Sequence, residues 1–250
     1  MNTDVSIIDT AMQSWRGAAS AREKMPNLFW IAIGILVALG ILNQLIGGYL
    51  FIVGGIIFSI AQALALTPLA IAVHRFILLG EARDSYDFAP SDPRFQKFFV
   101  FTIALEILGA LPSILALPLL FIAPFLYSLV VLVLAIVAAI VAVRNVMLFP
   151  SIAVDSAGAD WRNAMADSKG HSWRIFFVLL CTVLPAVVLE AILVALFAWV
   201  GVLHVILFAL IIPAITVFVI AAAAAAASRL FSAYANQLGR PSNLAPRVAV

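Results

Sequence analysis

The stretch MPNLFWIAIGILVALGILNQLIGGYLFIVGGIIFSIAQALALTPLAIAV, residues 25 to 73, decides the fold, because none of its 49 positions carries a charged or histidine side chain. A hydrocarbon core about 30 Å thick takes roughly 20 helical residues, so the stretch predicts two membrane-spanning helices. Gly47 and Gly48 are placed to form the turn between them. The whole 250-residue chain is 65% hydrophobic and 10% charged, whereas soluble domains are about a quarter charged. We therefore expect a membrane protein.

Two further apolar stretches predict two more hairpins. The run from Phe98 to Val143 contains one charged residue, Glu106, and the third hairpin runs from Ile175 to Ser228. The predicted fold is all-α and polytopic: a single membrane domain, residues 1–250, with six transmembrane helices in three hairpins and short amphipathic cytoplasmic helices. The predicted spans are about 27–46, 49–76, 98–118, 122–148, 174–198 and 203–228.

The basic residues predict the orientation. All 14 Lys and Arg residues lie before the first span, after the sixth, or in and next to the connections between the second and third spans and between the fourth and fifth. The three remaining turns carry none. Basic residues that flank membrane helices stay on the cytoplasmic side, so both termini are expected to be cytoplasmic.

Two amphipathic helices are expected outside the bilayer. In the first, about 4–17, Val5, Ile8, Met12 and Trp15 share one face. That face is expected to lie in lipid at the inner interface or against the bundle, with docking of a partner as the alternative. The second begins after Asp160 and ends near Gly170. Its two faces are Trp161, Ala164, Met165 and Ser168 on one side, and Arg162, Asn163, Asp167 and Lys169 on the other.

The last span ends in seven consecutive alanines, Ala221 to Ala227. Because alanine is a strong helix former, a helical tail is expected over about 229–239. Small side chains allow a close helix–helix approach, so the alanines predict a packing surface. Prolines in the spans, at 68, 112, 185 and 213, predict kinks, and a proline-broken binding site is the alternative.

No pattern typical of catalysis is present. The three histidines are far apart in the predicted topology, Cys181 is the single cysteine, and neither a nucleophile motif nor a phosphate-binding glycine loop occurs. We therefore expect no enzyme activity, no metal, no cofactor and no nucleic-acid partner. The expected partners are the lipid bilayer and either another membrane protein or a second copy of the chain.

Glu106 and Glu190 are the two acids inside the predicted spans. At 1.5 Å per residue, Glu106 lies about 12 Å from the inner end of its helix and Glu190 about 24 Å from the inner end of its own. This difference argues against a shared ion site. We expect Glu106 to form a structural ion pair with Arg144 or Arg75, with a proton or ion relay as the alternative. Glu190 and His204 are weaker candidates.

The chain resembles a group of uncharacterised bacterial inner-membrane proteins, the YciC-like proteins and the membrane domain attached to some glycerophosphoryl diester phosphodiesterases. The residues that carry the resemblance are DVSIIDTAMQSWRG (4–17), AVHRFILLGE (72–81) and FPSIAVDSAGADWRNAMADSKGHSWRIFF (149–177). The resemblance implies six spans in a bacterial inner membrane and carries over no catalytic residue. The soluble barrel that performs phosphodiester cleavage in those enzymes has no counterpart in this sequence.

Two functions stay open at this stage. The first is a structural, assembly or envelope-related role without catalysis. The second is a transporter or channel for a small solute or lipid that uses Glu106. A cavity that reaches Glu106 favours transport, and an ion pair between Glu106 and an arginine favours the structural role.

Overall fold

The computed structural model describes residues 6–46, 51–197, 199–201 and 206–239. The predicted Gly47–Gly48 turn, Val5 and His204 lie outside these residues. The helices are α1 (Ile7–Lys24), α2 (Pro26–Ile46), α3 (Phe51–Leu79), α4 (Pro93–Ile122), α5 (Pro124–Asn145), α6 (Leu148–Ala153), α7 (Trp161–Asp167), α8 (Ser172–Phe197) and α9 (Ile212–Tyr234), the last preceded by a π-helical segment, Leu207–Ile211.

Six of these helices are long and apolar enough to cross a membrane: α2, α3, α4, α5, α8 and α9 with its π-helical segment. The described residues contain no strand. The predicted all-α, polytopic fold with six membrane helices is therefore confirmed. We call the side of the bundle that carries residues 80–92 and 146–171 the loop side.

The third span begins earlier than predicted and is longer. The Asp92 carboxylate accepts a hydrogen bond from the N–H of Arg94 at 2.9 Å and caps α4 one residue before Pro93. The helix then continues through Pro112 and Pro118 to Ile122. Backbone groups in hydrocarbon must be paired within the segment, which favours a continuous helix over a break at Pro118. As a result Glu106 lies 13 residues, about 20 Å, from the start of its helix.

The helix α1 packs through its small residues. Ala18 and Ala21 are completely buried, whereas Ile8 and Met12 are 67% and 47% exposed. At Gly17 an added Cβ would lie 3.1 Å from Ile77 and 3.4 Å from Ala225, so the helices approach closely at this position. Ile8 and Met12 thus point away from the bundle, whereas Trp15, predicted on the same face, packs against the core cluster of α1, α2, α3 and α9. The predicted common face is therefore split.

The alanine run of α9 forms the centre of the bundle. Ala221, Ala222 and Ala224–Ala227 are buried, which confirms the predicted packing surface. One cluster joins them to α1, α2 and α3 around Phe29 and Leu69, and a second joins α9 to α6 and α8 around Met147 and Ile175. Of the 18 most apolar consecutive residues of each span, 11% are buried in α4 and 6% in α5, against 44% in α3 and 39% in α9. The hairpin of α4 and α5 is therefore peripheral.

The predicted helical tail over 229–239 is wrong beyond Tyr234, where α9 ends. Residues 235–239, here called the C-terminal strap, turn back over the loop side. The Asp167 carboxylate accepts hydrogen bonds from the backbone N–H groups of Asn236, Gln237 and Leu238 at 2.9 Å each. Because these N–H groups are paired with a side chain, they do not continue the helix.

Candidate functional site

A cavity of about 350 Å³ lies inside the bundle between α3, α4, α8 and α9. Its wall is mostly apolar, with Leu66 and Phe98 among the buried residues that line it. Ligand sites in proteins are typically apolar clefts of about 300–1,000 Å³ with a few polar groups. The size and the lining of this cavity are in that class.

Glu106 lines the cavity and is also exposed at the surface of the bundle. Phe98 and Thr102 precede it on the same face of α4, at intervals of four residues, and line the same cavity. Glu106 therefore lies at the border between the cavity and the surface of the bundle. A carboxylate at this depth is costly unless it finds a partner or a proton.

The expected partner Arg75 is bound elsewhere. Its Nε and Nη2 donate to the two oxygens of Glu81 at 2.9 and 2.8 Å, and its Nη1 donates to the carbonyl of Ala153 at 3.0 Å. Nη1 also lies 3.6 Å from Asp155. These acids and this carbonyl belong to the loop side, so the guanidinium is directed away from the middle of the bundle.

Arg144 is bound at the loop side as well. Its Nη2 donates to the carbonyl of Met165 at 2.8 Å, and its Nε donates to the hydroxyl of Ser168 at 3.4 Å. Arginine near the end of a helix stabilises unpaired carbonyls, and Met165 is in the last turn of α7. Within the described part of the chain no ion pair joins Glu106 to Arg75 or Arg144. The predicted ion pair is wrong, because both arginines find partners on the loop side.

His74 is a further polar residue of the cavity. It is 2% exposed, lines the cavity, and its Nδ1 lies 2.8 Å from the hydroxyl of Ser228, which is completely buried. Its ring packs against Phe98, with the ring centroids 5.8 Å apart. The sequence placed this histidine at the inner end of a helix, but the pairing with Ser228 depends on the contact between α3 and α9.

Three threonines also contribute to the polar part of the wall. The hydroxyls of Thr67, Thr102 and Thr216 donate to the carbonyls four residues earlier, at 2.8, 3.0 and 2.9 Å. All three residues line the cavity, each from a different helix. The positions of Thr67 relative to His74 and of Thr102 relative to Glu106 could have been found from the helical spacing, since the two members of each pair share a face.

The weaker candidates do not belong to the cavity. Glu190 is half-buried on α8, 18 residues and about 27 Å from Ser172, and is not one of the described residues that line the cavity. His204 lies outside the described residues.

A second, polar cleft of about 540 Å³ lies on the loop side, next to α3 and the start of α4. Arg75 and Arg94 line this cleft. Both bind Asp155, and Arg94 does so through two hydrogen bonds, one to each carboxylate oxygen. Asp155 has a φ of 55°, which is uncommon for a residue other than glycine. Arg75 of α3 and Arg94 of α4 thus both bind Asp155 in the connection after α6. This network stabilises the arrangement of these segments on the loop side.

Two aromatic side chains donate hydrogen bonds to spans near prolines. The hydroxyl of Tyr86 donates to the carbonyl of Ala65 at 2.7 Å, three residues before Pro68. The indole N–H of Trp15 donates to the carbonyl of Thr182 at 3.0 Å, three residues before Pro185. Proline lacks the N–H that pairs the carbonyl four residues earlier, and its ring disturbs the preceding turn of the helix. Both acceptor carbonyls lie in such a turn. Burial raises the pKa of Tyr86, because removal from water disfavours the charged phenolate.

Comparison of the chain with protein-family models, with curated proteins and with solved structures finds no match. The resemblance to bacterial inner-membrane proteins therefore stays a prediction. Across the residues that the structure describes, no group of three or more His, Cys, Asp and Glu side chains is arranged to hold a metal ion.

Proposed function

We propose that this multi-pass membrane protein binds a small amphipathic molecule in the cavity beside Glu106 and transports it, without chemically changing it. The observation that carries the proposal is that Glu106 lines an apolar cavity while both expected arginine partners bind the loop side. A carboxylate at this depth needs a partner, and a molecule in the cavity can supply one. Among the two functions predicted from the sequence, this arrangement favours transport.

We further propose that the protein lies in a bacterial inner membrane with the loop side in the cytoplasm. The distribution of all 14 Lys and Arg residues supports this orientation. The position of Ser228 supports binding without catalysis. Its hydroxyl pairs with His74, but Ser228 is completely buried and is not one of the described residues that line the cavity.

The structural or assembly role is the second candidate, and it is favoured by the peripheral hairpin of α4 and α5. Glu106 is exposed on this hairpin, so a second copy of the chain could also cover it. Native mass spectrometry from mild detergent separates the two functions, because it reports bound small molecules and subunit number in one measurement.

The test compares the native chain with Glu106→Gln and with the matched control Glu190→Gln. We expect the native chain and Glu190→Gln to carry a bound amphipathic molecule and Glu106→Gln to lose it. Thermal unfolding in the same detergent should show that Glu106→Gln folds at least as well, since it removes a costly carboxylate. A native chain without any bound molecule, or equal retention in all three proteins, would contradict the proposal. A dimer that Glu106→Gln dissociates would support the assembly role instead.

A further inference from the structure

We infer that the cavity selects a cationic hydrogen-bond donor, an amphipathic amine in its protonated form. The inference rests on the proposed function and names the class of its ligand. It follows from the polar groups of the wall, which are mainly acceptors.

The threonine hydroxyls of the wall have already used their protons. Thr67, Thr102 and Thr216 each donate to a carbonyl of their own helix. A hydroxyl has one proton and two lone pairs, so each oxygen can still accept a hydrogen bond but can no longer donate one. Threonines of three helices, with their protons already used, therefore line the same cavity.

The charge of the wall has a single sign. Glu106 is an acceptor when ionised, and none of the described residues that line the cavity is Lys or Arg. The side chains of the lining that can donate are the amide of Gln62 and the ring of His74, whose Nδ1 already meets Ser228. An anionic ligand would face Glu106 without a compensating cation. A protonated amine would meet a carboxylate and threonine oxygens.

The rest of the wall fits an apolar tail. Phe98, Phe149 and Leu179 contribute apolar surface. Glu106 borders the cavity on α4, a candidate membrane span that is mostly exposed, so a tail that partitions into lipid can reach this border. The ligand class is therefore an ammonium group attached to a hydrocarbon chain or ring, and charge-assisted hydrogen bonds give the ammonium its preference.

The test uses three probes with the same tail: N,N-dimethyldecylammonium, decanol and decanoate. Binding is measured by calorimetry to the full chain in nanodiscs of phosphatidylcholine, with empty nanodiscs subtracted. We expect the ammonium to bind about tenfold more tightly than decanol, as a charge-assisted bond replaces a neutral one. Decanoate should bind more weakly than decanol.

Variants identify the groups responsible. Glu106→Gln should remove the preference for the ammonium, while Glu190→Gln should keep it. Thr102→Val, one turn from Glu106 on the same wall, should weaken ammonium binding a few-fold and leave decanol unchanged; it also tests the inference if Glu106→Gln does not fold.

The outcomes separate the inference from the proposed function. Equal binding of ammonium and decanol, tighter binding of decanoate, or a preference that survives both Glu106→Gln and Thr102→Val would overturn the inference and leave a binding cavity in place. Failure of all three probes to bind would overturn both.

Discussion

Replacement of Asp167 is expected to release the C-terminal strap and to destabilise the loop side. Asp167 is 8% exposed and accepts hydrogen bonds from three consecutive backbone N–H groups. The strap also receives hydrogen bonds at the carbonyl of Leu238 from the hydroxyls of Ser151, at 3.1 Å, and Ser156. Leu238 is completely buried in the cluster of α6, α8 and α9.

The magnitude follows from the unpaired groups. A buried donor that loses its acceptor costs about 1–3 kcal/mol, but three donors that share one carboxylate do not add fully. For Asp167→Ala we expect a loss of about 3 kcal/mol, or roughly 6–12 °C in Tm for a chain of this size. Asp167→Asn keeps one carbonyl acceptor and should lose about half as much.

The chain provides its own reporter of unfolding. Cys181 is the single cysteine and is half-buried on α8, so a dye that fluoresces on reaction with thiols reports the thermal unfolding of α8. Asp87→Ala is the matched control, because Asp87 is exposed and bonded only to the hydroxyl of Ser85 among its described contacts. If Asp167→Ala melts within about 2 °C of Asp87→Ala, the role assigned to Asp167 is refuted.

Three further predictions follow from single contacts. Gly158→Ala should destabilise the protein by about 2 kcal/mol, because its Cβ would overlap the backbone carbonyl of Gln237. Gly34→Ala is the control and should be neutral or stabilising, because nothing lies within 4 Å of its Cβ position. The same dye assay compares the two variants. Trp15→Phe should cost about 1 kcal/mol through the loss of its hydrogen bond, and an unchanged Tm would contradict this role of the indole. The raised pKa of Tyr86 means that its contribution to stability is complete below about pH 10, the ordinary value, and declines as pH rises through the folded pKa. Between pH 8 and 11 the Tm should therefore fall less steeply with pH in Tyr86→Phe than in the native chain. Equal slopes of Tm against pH would contradict the prediction.

The membrane spans could be predicted because composition alone determines them. Long neutral segments have to be helical in hydrocarbon, and their number does not depend on which helices touch. The start of α4 was misplaced by five residues, since the Asp92 cap extends the helix beyond its apolar part. Glu106 therefore lies 13 residues from the start of α4 instead of the predicted eight.

The buried face of α1 could not be found from hydrophobicity. The pattern of Ile8, Met12 and Trp15 indicates an apolar face, but in lipid an apolar side chain gains little by contact with another helix. Close packing depends on small residues, and in α1 these are Gly17, Ala18 and their neighbours. A search for small residues at helical spacing would have identified this face.

The partners of the charged residues depend on contacts between distant segments. Arg75 could be assigned to Glu106 from depth along a helix, but the loop side offers Glu81 and Asp155 in more polar surroundings. Asp167 was placed on the polar face of α7, whereas the C-terminal strap covers it. The helical period predicts the face on which a residue lies, but it does not predict which distant segment packs against that face.

The most direct test of the account is the reaction of Glu106 with a hydrophobic carbodiimide in the membrane, located by peptide mass spectrometry. The reagent enters from lipid and modifies carboxyl groups that are not held by a cation. We expect that Glu106 is modified, that N,N-dimethyldecylammonium protects it, and that any labelling of Glu190 is unaffected by this ligand. Glu106 that resists the reagent until Arg75 or Arg144 is replaced, or labelling that the amphiphile does not change, would contradict the central claim.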